Sequence, residues 1–305
     1  MKKKPIMIVL SLVLGITMLS TTAFASISSS SGYEVYKAAL KNLPQADSMT
    51  AQATVSLSDN GSVILNADGT VKMDSATHAM SGLSTINAGD KTQTNEVYCQ
   101  NDQTIMKNGD SDVYNVMAMK AGKTPLDKNL DNRPAHEAVA KDVENIVDLL
   151  ASNFDSNISL DNQADGSKVV SLNLAGSQIT PLENAVASLI VKNAAREGER
   201  GLKAGSSMGN IDSIIKTSMP QLVDAISLNS VDMVVNIDAQ GQITKQTASL
   251  KITGNDASGQ THEIVINVDM NLSGINSTTP DTVDLTGKQV NNIQPREFKG
   301  HMQDK

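Results

Sequence analysis

A chain of 305 residues is long enough for a substantial core, but at 39% hydrophobic and 2% aromatic, with no Trp, that core must be aliphatic, with 14 Met as adaptable filler. Three Phe and four Tyr are too few to build the stacking platforms that sugar-binding modules and single-strand nucleic-acid binders usually need. A formal charge of −8 argues against nucleic acid or anionic lipid headgroups as nonspecific partners.

The N-terminus reads as a secretory signal peptide over residues 1–25. Met1-Lys2-Lys3-Lys4 is a positive leader, Pro5 to Ser20 is apolar, and Ala23-Phe24-Ala25 is a small-residue cleavage site before Ser26. Cleavage there removes three lysines and takes the formal charge from −8 to about −11. The apolar run is shorter than the ~20 residues of a spanning helix, so membrane contact is expected only through this segment. No cysteine sits at the cleavage point to carry an acyl chain, and the expected location is secreted or on the exterior of the cell envelope. Cys99 is the single cysteine and forms no internal disulfide; in the strand-like Glu96-Val97-Tyr98-Cys99 it reads as a small buried hydrophobe.

A Ser-rich linker, residues 26–31, leads to Gly32–Leu43, where Tyr36, Ala39, Leu40 and Leu43 fall at helical spacing before Pro44. Met49, Ala51, Ala53, Val55 and Leu57 then alternate, Asp59-Asn60-Gly61 turns the chain, and Val63, Leu65, Ala67, Val71 and Met73 alternate back as a hairpin. More polar strands are expected at Ala79–Ile86, Thr92–Gln100 and Gln103–Lys107, which implies one solvated face or a sheet edge. Residues 121–133 read as loop. Pro134 opens a helix whose stripe is Val139, Val143, Ile146, Val147, Leu150 and Phe154. A hairpin of Ile158–Leu160 with Val169–Leu174 follows, turning through Asp165-Gly166, and then a Thr180-Pro181-Leu182-Glu183 capping box starts a helix to about Ala195. Arg196–Ser207 is charged and Gly-rich, a loop that could act as a lid. Ile211–Ile226 resumes helical spacing with a break at Pro220.

The most regular stretch is Ser230–Leu272, where three segments in succession alternate apolar and polar residues. Val231, Met233, Val235 and Ile237, then Ala248, Leu250 and Ile252, then Ile264, Ile266, Val268, Met270 and Leu272 predict a three-stranded antiparallel meander with one buried face. Thr278–Leu285 could add one short edge strand, and residues 289–305 read as a disordered tail, which leaves 32–288 as a single domain.

Catalytic and metal chemistry is not expected. His78, His136, His262 and His301 are scattered without zinc spacing, and no nucleophile elbow, phosphate loop or dinucleotide fingerprint occurs. Asp161, Asp165 and Gly166, like Asn66, Asp68 and Gly69, match part of a calcium loop but lack the closing Glu, so both read as hairpin turns. No cofactor is expected, and the chain does not read as an enzyme.

The helix Gly32–Leu40, the long β run from Ser48 to Lys107, and helices before a closing meander together resemble exported proteins of Gram-positive bacteria related to the LolA and LppX group. Ser48-Met49-Thr50-Ala51 and Asp68-Gly69-Thr70-Val71-Lys72-Met73 resemble uncharacterised secreted members in particular. The resemblance spans residues 32–285 and implies an α+β fold: a curved antiparallel β-sheet, an incomplete barrel, with helices covering the concave face and a lipid or other hydrophobic small molecule between. On that view the ligand is lined by Val139, Val143, Ile146, Val147 and Leu150 on one side and by Val235, Leu250, Ile252, Ile266 and Val268 on the other. The chain departs from the group in lacking a lipobox cysteine and in having few rings. The same residues also suit a closed core, which makes an envelope or extracellular interaction module with a protein partner and no small ligand the alternative.

Overall fold

The computed structural model describes residues 31–109, 111–118, 157–179 and 220–293. Within them, twelve strands form one sheet in the order β12-β6-β5-β4-β3-β2-β1-β11-β10-β9-β8-β7. Their ranges are β1 Ser48–Asp59, β2 Ser62–Asp74, β3 Ala79–Ala88, β4 Lys91–Gln100, β5 Gln103–Asn108 and β6 Val113–Ala118 in the N-terminal half. Then come β7 Ile158–Asn162, β8 Lys168–Ala175, β9 Asp224–Ile237, β10 Ile243–Asn255, β11 Thr261–Ser273 and β12 Gln289–Asn292. All neighbours are antiparallel except β12, which runs parallel to β6. The two halves meet where β1 pairs with β11, Val55 opposite Val268 and Ala53 opposite Met270.

The turns follow from short sequence signals. Asp238-Ala239-Gln240-Gly241-Gln242 and Asp256-Ala257-Ser258-Gly259-Gln260 build the same loop twice: the first Asp carboxylate accepts backbone N–H bonds from the third and fifth residues. The Gly at position four takes a left-handed φ, 78° in Gly241 and 85° in Gly259, as the bulged four-residue connection requires.

Alternation places most apolar residues of β1 to β4 and β7 to β11 on one face, and the register lines them up across the sheet, whereas Ile105 on β5 and Tyr114 and Val116 on β6 face the other way. One end of this face is covered by the helix α1, Ser31–Asn42, which carries Glu34 in its first turn and Lys41 in its last, each favourable to the helix dipole. Its stripe of Tyr36, Ala39 and Leu40 packs on Ala51, Ala53, Val170, Val235, Ile237, Ile243, Met270 and Leu272. Gln246, a polar residue buried among these, accepts a hydrogen bond from the Tyr36 hydroxyl at 3.4 Å, and Asn42 Nδ2 donates to Gly241 O at 3.0 Å. At the other end, Leu222 and Ile252 pack with Leu57, Leu65, Ile86 and Ile264.

The opposite face is mostly polar, with Leu83, Val234 and Val265 among the exceptions, outside the part that the chain after β11 crosses. Residues 274–288 run as a strap over β1 to β6. Thr278 meets Thr50 and donates its N–H to Ser48, Asp281 pairs with Lys72 at 2.8 Å, and Asp281 N donates to Ser81 Oγ. The Gln100 side-chain amide clamps Val283 as a strand neighbour would, donating to its carbonyl at 2.8 Å and accepting from its N–H at 2.9 Å. Val283 thereby closes a small second core over Ile105, Tyr114 and Val116.

Several sequence expectations are corrected. The helix-covered α+β architecture is not found: the described residues hold a single α-helix, α1, at one end of a sheet. Asp224–Ile226, expected to end a helix, begin β9, because β10 offers a free edge and Ile226 and Leu228 join the apolar cluster. Gln289–Asn292, expected in the tail, are β12, and Thr278–Leu285 form the strap instead of an edge strand. Asn66, Asp68 and Gly69 lie within β2, not in a turn. The helices expected at 134–154, 180–195 and 211–219, and the loop at 196–207, lie outside the described residues.

Leu40 is fully buried at the contact of α1 with the sheet. Leu40→Ala is expected to lower the unfolding free energy by about 2–5 kcal/mol, through lost transfer energy and a residual cavity, read as a shifted midpoint in urea unfolding.

Candidate functional site

The sheet residues expected to line a ligand fall on the apolar face. Val235 lies under α1, and Ile252 sits in the cluster at the far end with Ile266 packed against it. Register ties them together: Leu250 stands opposite Ile266 on β11, and Ala248 opposite Val268. Val235, Ile252 and Val268 are buried, whereas Leu250 and Ile266 are half-buried. Val231 and Met233 on β9 and Ala248 on β10 are also half-buried, so an aliphatic strip lies between the cluster under α1 and the cluster around Ile252. The other expected lining residues, Val139, Val143, Ile146, Val147 and Leu150, lie outside the described residues.

A hollow of about 310 Å³ opens on the other, polar face, over β1, β11, β10 and β9. Thr54, Ser56, Asn267, Asp269, Thr247, Ser249 and Asp232 line it, together with Val234, which is 40% exposed. Asp269 is held by Lys245 Nζ at 2.9 Å and Asn271 Nδ2 at 2.9 Å.

Of the four histidines, His78 and His262 lie in the described residues, and His262 gains a partner that spacing does not reveal. It opens β11 on the apolar face, only 7% exposed, where its Nδ1 lies 2.8 Å from Asp59 Oδ2 at the end of β1. Its Nε2 faces Asp256 Oδ2 at 3.6 Å, too long for a hydrogen bond, and neither Nε2 nor Asp59 Oδ1 has a hydrogen-bond partner among the described residues. The imidazole thus joins the tips of two hairpins, β1–β2 and β10–β11. The bond to Asp59 raises the His262 pKa above its usual value despite burial, and hydrogen bonds from Ser258 and Gln260 hold Asp256 down at about 2. The signal in the sequence was Asp59 directly before the Asn60-Gly61 turn and His262 two residues after Gln260, the end of the Asp256–Gln260 turn, but only pairing of β1 with β11 brings them together.

Cys99 is 2% exposed, and burial pushes its thiol up to about 11, so it is protonated at neutral pH and serves as a core residue. Tyr98 is pushed up to about 12 by burial and by Glu96, whose carboxylate accepts its hydroxyl at 2.9 Å. No group of three or more His, Cys, Asp and Glu side chains among the described residues could hold a metal ion.

No protein-family profile matches the chain, and no curated protein matches it by sequence. Among solved structures, the YwiB protein of Bacillus subtilis matches at 7% identity over 74% of this chain and 92% of its own, with a TM-score of 0.17. A porin-like protein from Bacteroides uniformis matches at 10% identity over 75% of this chain and 98% of its own, TM-score 0.21. A LolA superfamily protein from Nitrosomonas europaea matches at 9% identity over 90% of this chain and 96% of its own, TM-score 0.19. The likeness to the LolA superfamily is therefore weak, and it establishes neither the family nor a Gram-positive origin.

Because the His262 pKa is raised in the folded state, its pairing contributes stability that is complete below the unfolded value of about 6.5 and is lost as pH rises through the folded value. Thermal melts between pH 5.5 and 9 are expected to show this loss in the native chain, and His262→Gln should flatten it.

Proposed function

We propose that this is an exported, non-catalytic binding protein that holds a lipid or other hydrophobic ligand against the apolar face of its sheet. The observation that carries the reading is the half-buried aliphatic strip of Val231, Met233, Ala248, Leu250 and Ile266, set between two clusters that are closed. A sheet face that needed only a core would gain from burying this centre as deeply as its ends, since each buried CH₂ contributes about 0.8 kcal/mol. Met233 adds a side chain that can repack around ligands of different shape. Export is supported by the N-terminal leader with its Ala23-Phe24-Ala25 cleavage site.

Native mass spectrometry of protein purified from its own host's medium or envelope, followed by organic extraction, is expected to show a stoichiometric apolar adduct that denaturation releases. A clean apo mass would overturn the reading and leave a protein-interaction module in its place. Leu250→Asp, in the half-buried strip, is expected to keep the circular dichroism of the native sheet while losing the adduct. Val235→Asp puts an uncompensated charge into a fully buried position, and unfolding is expected.

A further inference from the structure

The polar face carries a pattern that the proposed ligand site does not use. Register places Ser56, Asn267, Ser249 and Asp232 side by side across β1, β11, β10 and β9. The next row along the strands is Thr54, Asp269, Thr247 and Val234. The hollow of about 310 Å³ lies over the middle of these two rows. Both rows continue beyond it in the same chemistry. On the β2 to β4 side the first passes through Asn66, Asn87 and Thr92, and the second through Asp68, Thr85 and Thr94. On β8 they end at Asn173 and Ser171. Every position but Val234 is therefore a short Ser, Thr, Asn or Asp. The long side chains Gln52, Lys245 and Lys251 stand in the flanking rows, and the strap crosses further along the same face.

We infer that this double row is a docking track for an extended, uncharged, hydroxyl-rich polysaccharide. The strand spacing of about 4.8 Å is close to the length of one pyranose unit in an extended glycan, and eight strands give a track of roughly 34 Å. The side chains are oriented by bonds to each other: Thr54 Oγ1 donates to Asp68 Oδ1 at 2.8 Å, Thr92 Oγ1 donates to Asn87 Oδ1 at 2.7 Å, and Asn267 Nδ2 donates to Ser56 Oγ at 3.4 Å. Each hydroxyl and amide so held keeps at least one donor or acceptor for a ligand. Charge selects against polyanions, since Asp68, Asp232 and Asp269 lie in the track and the adjacent cation Lys245 is already paired with Asp269. The exposed track has no Trp, Tyr or Arg to anchor a protein partner. It also needs no ring to stack on: many single hydrogen bonds along one polymer add up through effective concentration.

Gel electrophoresis of the full chain through hydroxyethyl cellulose, glycol chitin or heparin tests this. Retardation is expected in at least one of the two uncharged polymers and not in heparin. Thr247→Arg with Ser249→Arg fills the hollow and is expected to weaken binding at least tenfold with the melting temperature unchanged. Ser56→Ala with Ser249→Ala, which adds no bulk, should weaken it by a smaller factor and guards against a folding defect in the first variant. Full mobility of the native chain in both uncharged polymers, retardation by heparin, or native-like retardation of both variants would overturn the inference.

Discussion

The pairing of β1 with β11 is the contact on which the rest of the structure depends. It joins a hairpin near the N-terminus to a meander near the C-terminus, with Ser56 and Asn267 in contact although 211 positions apart. Without it there would be two smaller sheets, each with an open edge, and the core under α1 would lose one of its walls. The register is tightly constrained. Ala51, Ala53, Val55 and Leu57 must meet Leu272, Met270, Val268 and Ile266, and a slip by one residue would turn every one of them to the polar face. Such a long-range pairing has a high loop-closure cost, so it is expected to form late in folding, after the local hairpins.

Two-sidedness is the consequence of that register, and both proposed sites follow from it. On the apolar face the ends are closed by α1 and by the cluster around Ile252, and the centre is left half-buried. On the polar face one end is crossed by the strap and the middle carries the rows of short hydroxyl and amide side chains. The proposed apolar ligand and the proposed glycan would thus occupy opposite faces, which share only backbone. The strap also shows how the sheet manages an edge. It guides Gln289–Asn292 to β6, and the added parallel strand covers an edge that would otherwise present free N–H and C=O groups.

The buried pair of His262 and Asp59 sits where the register ends. Burying an imidazole there is tolerated because Asp59 accepts from it, while Asp256 is kept ionised by the Ser258 hydroxyl and the backbone of its own turn. The pair ties the two hairpin tips that flank the Ile252 cluster, at the end of the apolar face away from α1.

The strands were legible in the sequence wherever period-two alternation ran for four or more residues, as in β1, β2, β10 and β11, and so were the turns at Asp59-Asn60-Gly61 and Asp165-Gly166. The helix α1 was legible from Tyr36, Ala39 and Leu40. What misled was the short or neutral segment. Val113–Ala118 alternates too briefly to stand out, and Asp224–Ile226 continues a helical spacing until β10 provides an edge to pair with. Gln289–Asn292 is too polar to suggest a strand without β6 beside it. Sequence alone therefore determined which residues turn inward, since that depends on nearest neighbours along the chain. The tertiary structure decided which strands lie side by side, and with that the His262–Asp59 pair, the strap and the rows of Ser, Thr, Asn and Asp, because lateral register is a relation between segments that no local periodicity encodes.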